Sequence, residues 1–358
     1  MQKAYLILEN GTIFEGKSFG CEGETVGEIV FTTGMNGYVE TLTDPSFYGQ
    51  IVVQTFPAIG NYGVIASDVE SDACHLKGYI VREWCQEPSN FRCEGILDTF
   101  LKNKGVIGLY GIDTRALTRI IRENGVMNGK IVTGEKAELN LSELKNYKIV
   151  DAVKNTTTKE EYVLKPDGEV KNKVCLIDLG AKNSVKKELV KRGCEVTVVP
   201  ATTSFERIKE LGAEGVVLSN GGGDPVENEA LIETVKKLCE EKIPVLGICL
   251  GHQILALSQG AKVLKMKYGH RGANVPAIRL ETGKTFITTQ NHGYIVLSET
   301  LPEGAKVSFV NANDKTCEGI DYPALKAFTV QFDPDTAGDK DSAFLYNRFV
   351  DMMKGGAL

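Results

Sequence analysis

The stretch PVLGICLGHQILALSQG, residues 244–260, joins two periodic patterns with only a cysteine between them. PVLGI is a short apolar run, typical of a buried β-strand, and GHQILALSQG repeats apolar residues at helical spacing. Gly247 and Gly251 flank Cys249 at the junction. A G-x-C-x-G pattern between a strand and a helix predicts a tight turn that pushes the Cys249 side chain into the open.

The sequence upstream of this junction alternates between strand-like and helix-like segments. The strands are VCLIDLG, CEVTVVP, EGVVLSNG and PVLGICLG, and the helices between them are SVKKELVKRG, SFERIKELG and ENEALIETVKKLCEEK. Such alternation predicts an α/β fold with a doubly wound, mostly parallel sheet. Active sites of these sheets lie at the carboxyl ends of the strands.

The N-terminal part has a different pattern, with short β-type runs such as AYLILENGTIF and QIVVQTFP separated by Gly, Asn and Asp. One helical segment is predicted from Asp113, a capping residue, to Asn124-Gly125. We expect a β-rich α+β domain at residues 1–145. Residues 146–172 are polar and lack a sustained period, which favours a linker, and residues 173–358 form the α/β domain.

Composition excludes several classes of partner and location. The net charge is −6 without a long basic run, which argues against nucleic acid or an anionic membrane as partner. No apolar stretch approaches the ~18 residues of a membrane span, and the N-terminus lacks a signal-peptide pattern. The nine cysteines are scattered without metal-ligand spacing. We therefore expect reduced thiols in a cytoplasmic protein and no metal site.

Two further polar segments follow strand-like runs. LSNGGGDP, residues 218–225, has three glycines whose backbone N–H groups are free to approach a ligand, although a plain flexible loop fits equally well. TQNHGY, residues 289–294, is interpreted as a polar ligand-binding turn or a simple β-turn. Gly283-Lys284-Thr285 lacks the first glycine of a phosphate loop, so no Walker-type ATP site is expected.

A cysteine nucleophile usually needs a histidine base that a carboxylate orients. The chain has only four histidines, His75, His252, His270 and His292, and none has a carboxylate partner that spacing suggests. His270 falls in a loop-like stretch. At the end of the last strand-like run, where such a base would be expected, stands Asp333-Pro334-Asp335.

Four motifs together resemble a class I glutamine amidotransferase over residues 173–358. They are GICLGHQ, LSNGGGDP, QNHGY and the C-terminal VQF-x-P stretch. Two N-terminal segments indicate which family of amidotransferases this is. They are FTTGMNGYVETLTDPSFYGQIVVQTFPAIGNYG, residues 31–63, and GLYGIDTRALTRIIRENGVMNG, residues 108–129. They are similar to the carbamoyl-phosphate synthetase small-subunit family over essentially its whole length.

The resemblance implies a glutaminase that passes ammonia to a large subunit in a heterodimer. That subunit uses ATP, Mg²⁺ and bicarbonate to make carbamoyl phosphate for pyrimidine and arginine synthesis, so no cofactor is expected on this chain. Cys249 would form a glutamyl thioester, and the N–H groups of Gly221 and Leu250 would form the oxyanion hole. The residues implied to hold glutamine are Ser46, Gly221, Gly223, Leu250, Gln253, Asn291, Gly293 and Tyr294.

The chain departs from the family at residues on which catalysis depends. The family has His-Pro-Glu at the positions of Asp333-Pro334-Asp335, and Gly-Pro-Gly-Asp-Pro where this chain has Gly221-Gly222-Gly223-Asp224-Pro225. Proton transfer from a Cys thiol, of pKa about 8.5, to an Asp carboxylate, of pKa about 3.9, is uphill by roughly 6 kcal/mol. A carboxylate beside Cys249 also disfavours the thiolate.

Three hypotheses follow from this departure. The leading one is a small subunit with weak or absent glutaminase activity, whose large subunit uses mostly free ammonia. The second is a working glutaminase whose base is His292 or the Asp333/Asp335 pair, which would share a proton as carboxylate dyads do. The third is a non-catalytic subunit that senses glutamine or only stabilises its partner.

Overall fold

The computed structural model describes residues 2–135, 141–334 and 342–356. The chain divides into two compact units, Met1–Val150 and Asp151–Leu358. All nine cysteines lie in the described residues and none forms a disulfide, as the sequence predicts. Within the described ranges, no helix combines the length and the apolar character that a membrane crossing requires.

The N-terminal unit is a closed β-barrel with short helices. Seven strands close it in the order β1-β2-β8-β6-β4-β3-β9, and β5 pairs with β7. Its elements are β1 Lys3–Leu8, β2 Ile13–Gly20, β3 Glu24–Thr32, α1 Tyr38–Thr43, β4 Gln50–Gln54, β5 Ala58–Ile59, β6 Gly78–Val81, β7 Glu83–Trp84, α2 Leu97–Asn103, β8 Ile107–Tyr110, α3 Thr114–Asn124, β9 Met127–Thr133 and α4 Leu141–Asn146. This confirms the β-rich domain.

Helix α3 shows how the local sequence sets the boundaries of an element. The Asp113 side chain accepts a hydrogen bond from the backbone N–H of Ala116 at 3.0 Å, which satisfies one of the unpaired donors of the first turn. Gly125 ends the helix with a φ of 97°, a conformation that glycine adopts without strain. The helix predicted between these two residues is confirmed.

The C-terminal unit alternates strands and helices and then ends in antiparallel strands. Its elements are α5 Ala152–Thr156, β10 Tyr162–Leu164, β11 Asn172–Asp178, α6 Asn183–Lys191, β12 Cys194–Pro200, α7 Phe205–Glu210, β13 Gly215–Leu218, α8 Glu229–Glu240, β14 Val245–Ile248, α9 Leu250–Ser258, β15 Val263–Arg279, β16 Thr285–Val296, β17 Lys306–Asn311, β18 Cys317–Tyr322, β19 Ala327–Val330 and α10 Phe344–Met353. The segment predicted as a linker contains α5 and β10.

These strands form one ten-stranded sheet in the order β10-β12-β11-β13-β14-β19-β18-β17-β15-β16. Strands β12, β11, β13, β14 and β19 are parallel, and the other ladders are antiparallel. The α/β class is therefore confirmed, and the sheet is mixed. Alternate residues of β11 face two separate cores: Cys175 and Ile177 contribute to one, and Val174 and Leu176 to the other.

Two local predictions in the antiparallel part are wrong. Residues 289–294 do not form a turn but lie inside β16, and His270 lies in β15 rather than in a loop. His270 pairs with His292 and Gly272 with Gln290. The Asn-Gly signal of a turn was misleading because pairing with β15 satisfies the backbone of this segment as an extended strand.

Candidate active site

Cys249 occupies a strained turn between β14 and α9. Its backbone has φ 52° and ψ −103°, a conformation that costs a residue other than glycine about 1–3 kcal/mol. Two backbone hydrogen bonds hold the turn: Cys249 N–H donates to Val330 O at 2.9 Å, and Gly251 N–H donates to Ser219 O at 3.1 Å. The strand-to-helix elbow predicted from G-x-C-x-G is therefore present.

The two glycines of the elbow are required because the backbone packs closely there. A Cβ on Gly247 would lie 2.7 Å from Gly251 O and 2.9 Å from Thr329 Cγ2. A Cβ on Gly251 would collide with the carbonyl oxygen of Leu218. The elbow is thus fixed by its contacts with the neighbouring strands.

The Cys249 thiol is buried, with only 3% of the residue exposed, so the prediction of an open side chain is wrong. Strand β16 covers it, and Sγ donates a hydrogen bond to Asn291 O at 3.7 Å.

The glycine loop after β13 approaches the same turn. A Cβ on Gly221 would collide with Leu179 O and lie 2.9 Å from Leu250 Cδ2, so Gly221 packs directly beside the start of α9. Gly223 has a φ of 91°, and a Cβ there would lie 2.6 Å from that of Ala152. The loop is therefore packed and shaped by glycine, in contrast to a plain flexible loop.

Asp333 lies beyond the end of β19 and is also buried, with 3% exposed. Its N–H donates to Thr289 O at 2.9 Å, which places it against β16 two residues from Asn291, the residue that contacts Cys249. The carboxylate oxygen Oδ2 lies 2.5 Å from Nζ of Lys182. Asp335 lies outside the described residues.

Lys182 is the residue that sequence reasoning missed. It precedes α6, its side chain is 6% exposed, and its N–H donates to Asn220 Oδ1 at 3.2 Å. Its position in Leu179-Gly-Ala-Lys182, just past the end of β11, was the available signal, because site residues gather at the carboxyl ends of parallel strands. The buried pair of Lys182 and Asp333 follows the carboxyl ends of β11 and β19, and Cys249 follows the carboxyl end of β14 in the same sheet.

Five of the eight residues implied to hold glutamine lie on α9 and β16, and Gly221 and Gly223 lie in the glycine loop after β13. The Gln253 amide Nε2 lies 3.0 Å from Tyr294 O and 3.0 Å from Gln331 Oε1, which ties α9 to β16. Asn291, Gly293 and Tyr294 follow one another along the same strand. Ser46 belongs to the N-terminal unit, where its N–H donates to Asp44 Oδ1 at 2.8 Å.

Neither histidine beside the elbow is arranged as a base for Cys249. His252 is fully buried, its Nδ1 lies 2.8 Å from Thr329 Oγ1, and burial lowers its pKa to about 3. The His292 ring nitrogens face Tyr294 O at 2.9 Å and Gln290 Oε1 at 3.0 Å. Burial also lowers the pKa of His292 well below its usual range.

The other two histidines are engaged elsewhere. Burial opposes protonation of His270, but Glu318 and Asp314 outweigh it and raise the pKa of His270. His75 lies in the N-terminal unit, where its ring packs near that of Tyr48 with centroids 6.5 Å apart. His270 therefore has two carboxylate partners, Asp314 and Glu318, that its spacing in the sequence did not suggest.

Comparison with known proteins extends over both units. Residues 6–131 match the family model described as "Carbamoyl-phosphate synthase small chain, CPSase domain", and residues 175–352 match "Glutamine amidotransferase class-I". A carbamoyl phosphate synthase small chain from Clostridium perfringens is 48% identical, with 97% of this chain and 99% of the relative covered. Small chains from Archaeoglobus fulgidus and Listeria monocytogenes are each 45% identical, with coverage of 98% or more of both partners.

We expect substitutions of Lys182 and Asp333 to have strongly coupled effects on stability. Lys182→Met or Asp333→Leu alone should lower the free energy of unfolding by ~3–5 kcal/mol, because each leaves an uncompensated buried charge. The double variant should be more stable than either single variant. Urea denaturation of all four proteins gives the coupling energy. Lys209→Met, which breaks the exposed pair with Glu241, is the control and should cost less than ~1 kcal/mol. Additive single effects would contradict the coupling.

We also expect His252 to make stability depend on pH. The folded protein holds its pKa near 3, whereas the unfolded chain has a pKa near 6.5, so only the unfolded state takes up this proton between those values. Stability should therefore fall as the pH drops below about 6.5, by up to ~1.4 kcal/mol per pH unit, and be unaffected above it. Urea denaturation from pH 8 to pH 5 should show a smaller acid loss in His252→Gln. Equal slopes would mean that His252 is protonated in the folded state.

Proposed function

Because the chain belongs to the carbamoyl-phosphate synthase small chain family, we propose that it is the amidotransferase subunit of a carbamoyl-phosphate synthetase. It pairs with a large subunit that holds ATP, Mg²⁺ and bicarbonate and receives ammonia. Its own hydrolysis of glutamine is weak or lost, so the complex depends mainly on free ammonia. The chain itself needs no cofactor for this role.

The observation that carries the proposal is the buried ion pair of Lys182 and Asp333. Asp333 stands where the family resemblance places the histidine base, and its carboxylate contacts the Lys182 ammonium at 2.5 Å. A carboxylate that is paired with an ammonium accepts a proton less readily than a free one, because protonation breaks the pair. The ion pair therefore adds to the roughly 6 kcal/mol that already opposes proton transfer from a thiol to a carboxylate.

The acid step meets the same difficulty. Ammonia that leaves the tetrahedral intermediate needs a proton, which a histidine would supply after it had accepted one from the thiol. An ionised Asp333 has none to give. Lys182 carries protons, but loss of one would remove the charge that pairs with the buried Asp333 carboxylate.

Other parts of the amidotransferase site are retained. Cys249 keeps the elbow of a nucleophile, and Gly221 packs beside Leu250 at the start of a nine-residue helix. We assign their N–H groups to the oxyanion hole, because a helix N-terminus stabilises negative charge. The glutamine-binding roles in the C-terminal unit are assigned to Gly223, Gln253, Asn291, Gly293 and Tyr294.

Two alternatives remain, a glutaminase with a different base and a non-catalytic subunit, and the contacts at this site distinguish them. A glutaminase with His292 as base is disfavoured, because both ring nitrogens face other groups and burial keeps the ring neutral. A base formed by Asp333 and Asp335 would require Asp333 to leave Lys182. A non-catalytic subunit that senses glutamine retains the binding residues, and calorimetry that detects glutamine binding without glutamate release would favour it.

We expect ammonia to support carbamoyl phosphate synthesis far better than glutamine does. In the complex with the large subunit, the glutamine-dependent rate should be at least ~100-fold below the ammonia-dependent rate, because general acid–base catalysis contributes about 10²–10⁴-fold. Glutamate release should be close to that of Cys249→Ser. A glutamine-dependent rate within tenfold of the ammonia rate, and abolished by Cys249→Ser, would show that the site has a working base.

Restoring the family residues should restore glutaminase activity. The double substitution Asp333→His and Asp335→Glu should raise glutamate release by about 10²–10⁴-fold, because it supplies the missing base and its orienting carboxylate. The control is the same pair of substitutions combined with Cys249→Ser, which should show no gain. If the double variant folds but gains nothing, the loss of function extends beyond residues 333 and 335, and the assignment of the remaining site is wrong.

A further inference from the structure

A second group of functional side chains lies in the antiparallel part of the sheet. His270 on β15, His292 on β16 and Glu318 on β18 each offer one metal-ligand atom, and these atoms lie within 4.8 Å of one another. The two histidines face each other across the ladder, with ring centroids 5.1 Å apart. Glu318 is completely buried. The cluster is separate in composition from the Cys249 site.

The hydrogen bonds of His270 direct one ring nitrogen into the cluster. Its Nε2 lies 2.9 Å from Asp314 Oδ2, the arrangement of an N–H that donates to a carboxylate. On the other side of the ring, Asn311 Nδ2 lies 3.3 Å from Nδ1, and Glu318 Oε1 lies 3.5 Å from it. A metal-ligating histidine typically donates its second N–H to a carboxylate in this way.

His292 has two acceptors but only one proton. In the neutral ring that a metal ion requires, this proton lies on Nδ1, because Tyr294 O, 2.9 Å away, can only accept a hydrogen bond. Nε2 therefore carries a lone pair, although it lies 3.0 Å from Gln290 Oε1. The orientation of the Gln290 amide follows from Thr288, whose hydroxyl donates to Val275 O and accepts from Gln290 Nε2. Two lone-pair atoms 3.0 Å apart are spaced as neighbouring ligands of one cation are.

Glu318 supplies the negative charge of the cluster. Its Oε1 accepts a hydrogen bond from Asn311 Nδ2 at 2.9 Å, whereas its buried Oε2 has no hydrogen-bond partner among the described residues. A buried carboxylate oxygen without a partner is costly. A cation bound between Glu318 and the two imidazoles would remove that cost.

We propose that His270 Nδ1, His292 Nε2 and the Glu318 carboxylate bind one divalent transition-metal ion, for which Zn²⁺ is the best match. Two imidazoles and one carboxylate form a ligand set that suits Zn²⁺, and Gln290 Oε1 or a water completes the tetrahedron. Bond lengths near 2.1 Å place tetrahedral ligands about 3.4 Å apart, so side-chain shifts of about an ångström would close the site. Asp314 and the Tyr294 carbonyl orient the two rings.

The position of the ion indicates a structural role. Asn291, whose carbonyl accepts the hydrogen bond from Cys249, lies in β16 between Gln290 and His292. An ion that links β15, β16 and β18 therefore fixes the strand segment that contacts the thiol. The site departs from the sequence-based expectation of no metal, because its ligands are far apart along the chain and form no spacing motif.

The test uses the full chain without a histidine tag, treated with a chelator and with its accessible thiols alkylated. Equilibrium dialysis against Zn²⁺ should give one tightly bound ion per chain. Co²⁺ in its place should give the visible bands of a tetrahedral site without the near-ultraviolet charge transfer of a thiolate ligand. Zn²⁺ should also raise the thermal unfolding temperature.

Variants separate this site from adventitious binding. Glu318→Gln preserves shape and should weaken Zn²⁺ binding at least ~100-fold, and Asp314→Asn should weaken it about 10–100-fold by releasing His270. Glu299→Gln, at an exposed position, is the matched control and should bind as the wild type does. No stoichiometric ion, a thiolate band with Co²⁺, or unchanged binding in folded Glu318→Gln and Asp314→Asn would each overturn the proposal.

Discussion

The parallel register of four strands is the constraint on which the site depends. Ile177 pairs with Leu218, Leu218 with Gly247 and Ile248 with Val330, so β11, β13, β14 and β19 end at one edge of the sheet. The residues just past those ends are Lys182, the glycine loop at 219–223, Cys249 and Asp333. The strand register therefore brings these positions to one edge of the sheet, independently of which side chains occupy them.

The side chains at this edge of the sheet are unusual for the site of a cysteine nucleophile. The elbow, its two glycines and the adjacent helix are built as a thiol-activating turn requires. Two contacts differ from an arrangement of thiol and histidine: Asn291 O accepts a hydrogen bond from Cys249 Sγ, and Asp333 is paired with Lys182. The elbow therefore depends on backbone geometry, whereas the charge at position 333 depends on one pair of side chains.

The antiparallel extension contains a group of buried polar residues of its own. Gln290, His292, Asn311 and Glu318 are all buried in this region. Buried polar groups are stable only when they are satisfied, so such a network demands one specific arrangement of its strands. A cation at His270, His292 and Glu318 would complete that arrangement and would also restrain the strand that touches Cys249.

The sequence by itself determined the α/β class, the β-rich N-terminal domain, the helix from Thr114 to Asn124 and the elbow at Cys249, because periodicity, caps and glycine spacing are local signals. It also located Asp333 at a strand end. Local signals failed at residues 289–294, where pairing with β15 overrode the turn residues. Only the tertiary structure decided that Lys182 neutralises Asp333, and that His270, His292 and Glu318 converge, because partners so distant in sequence are chosen by strand order and register.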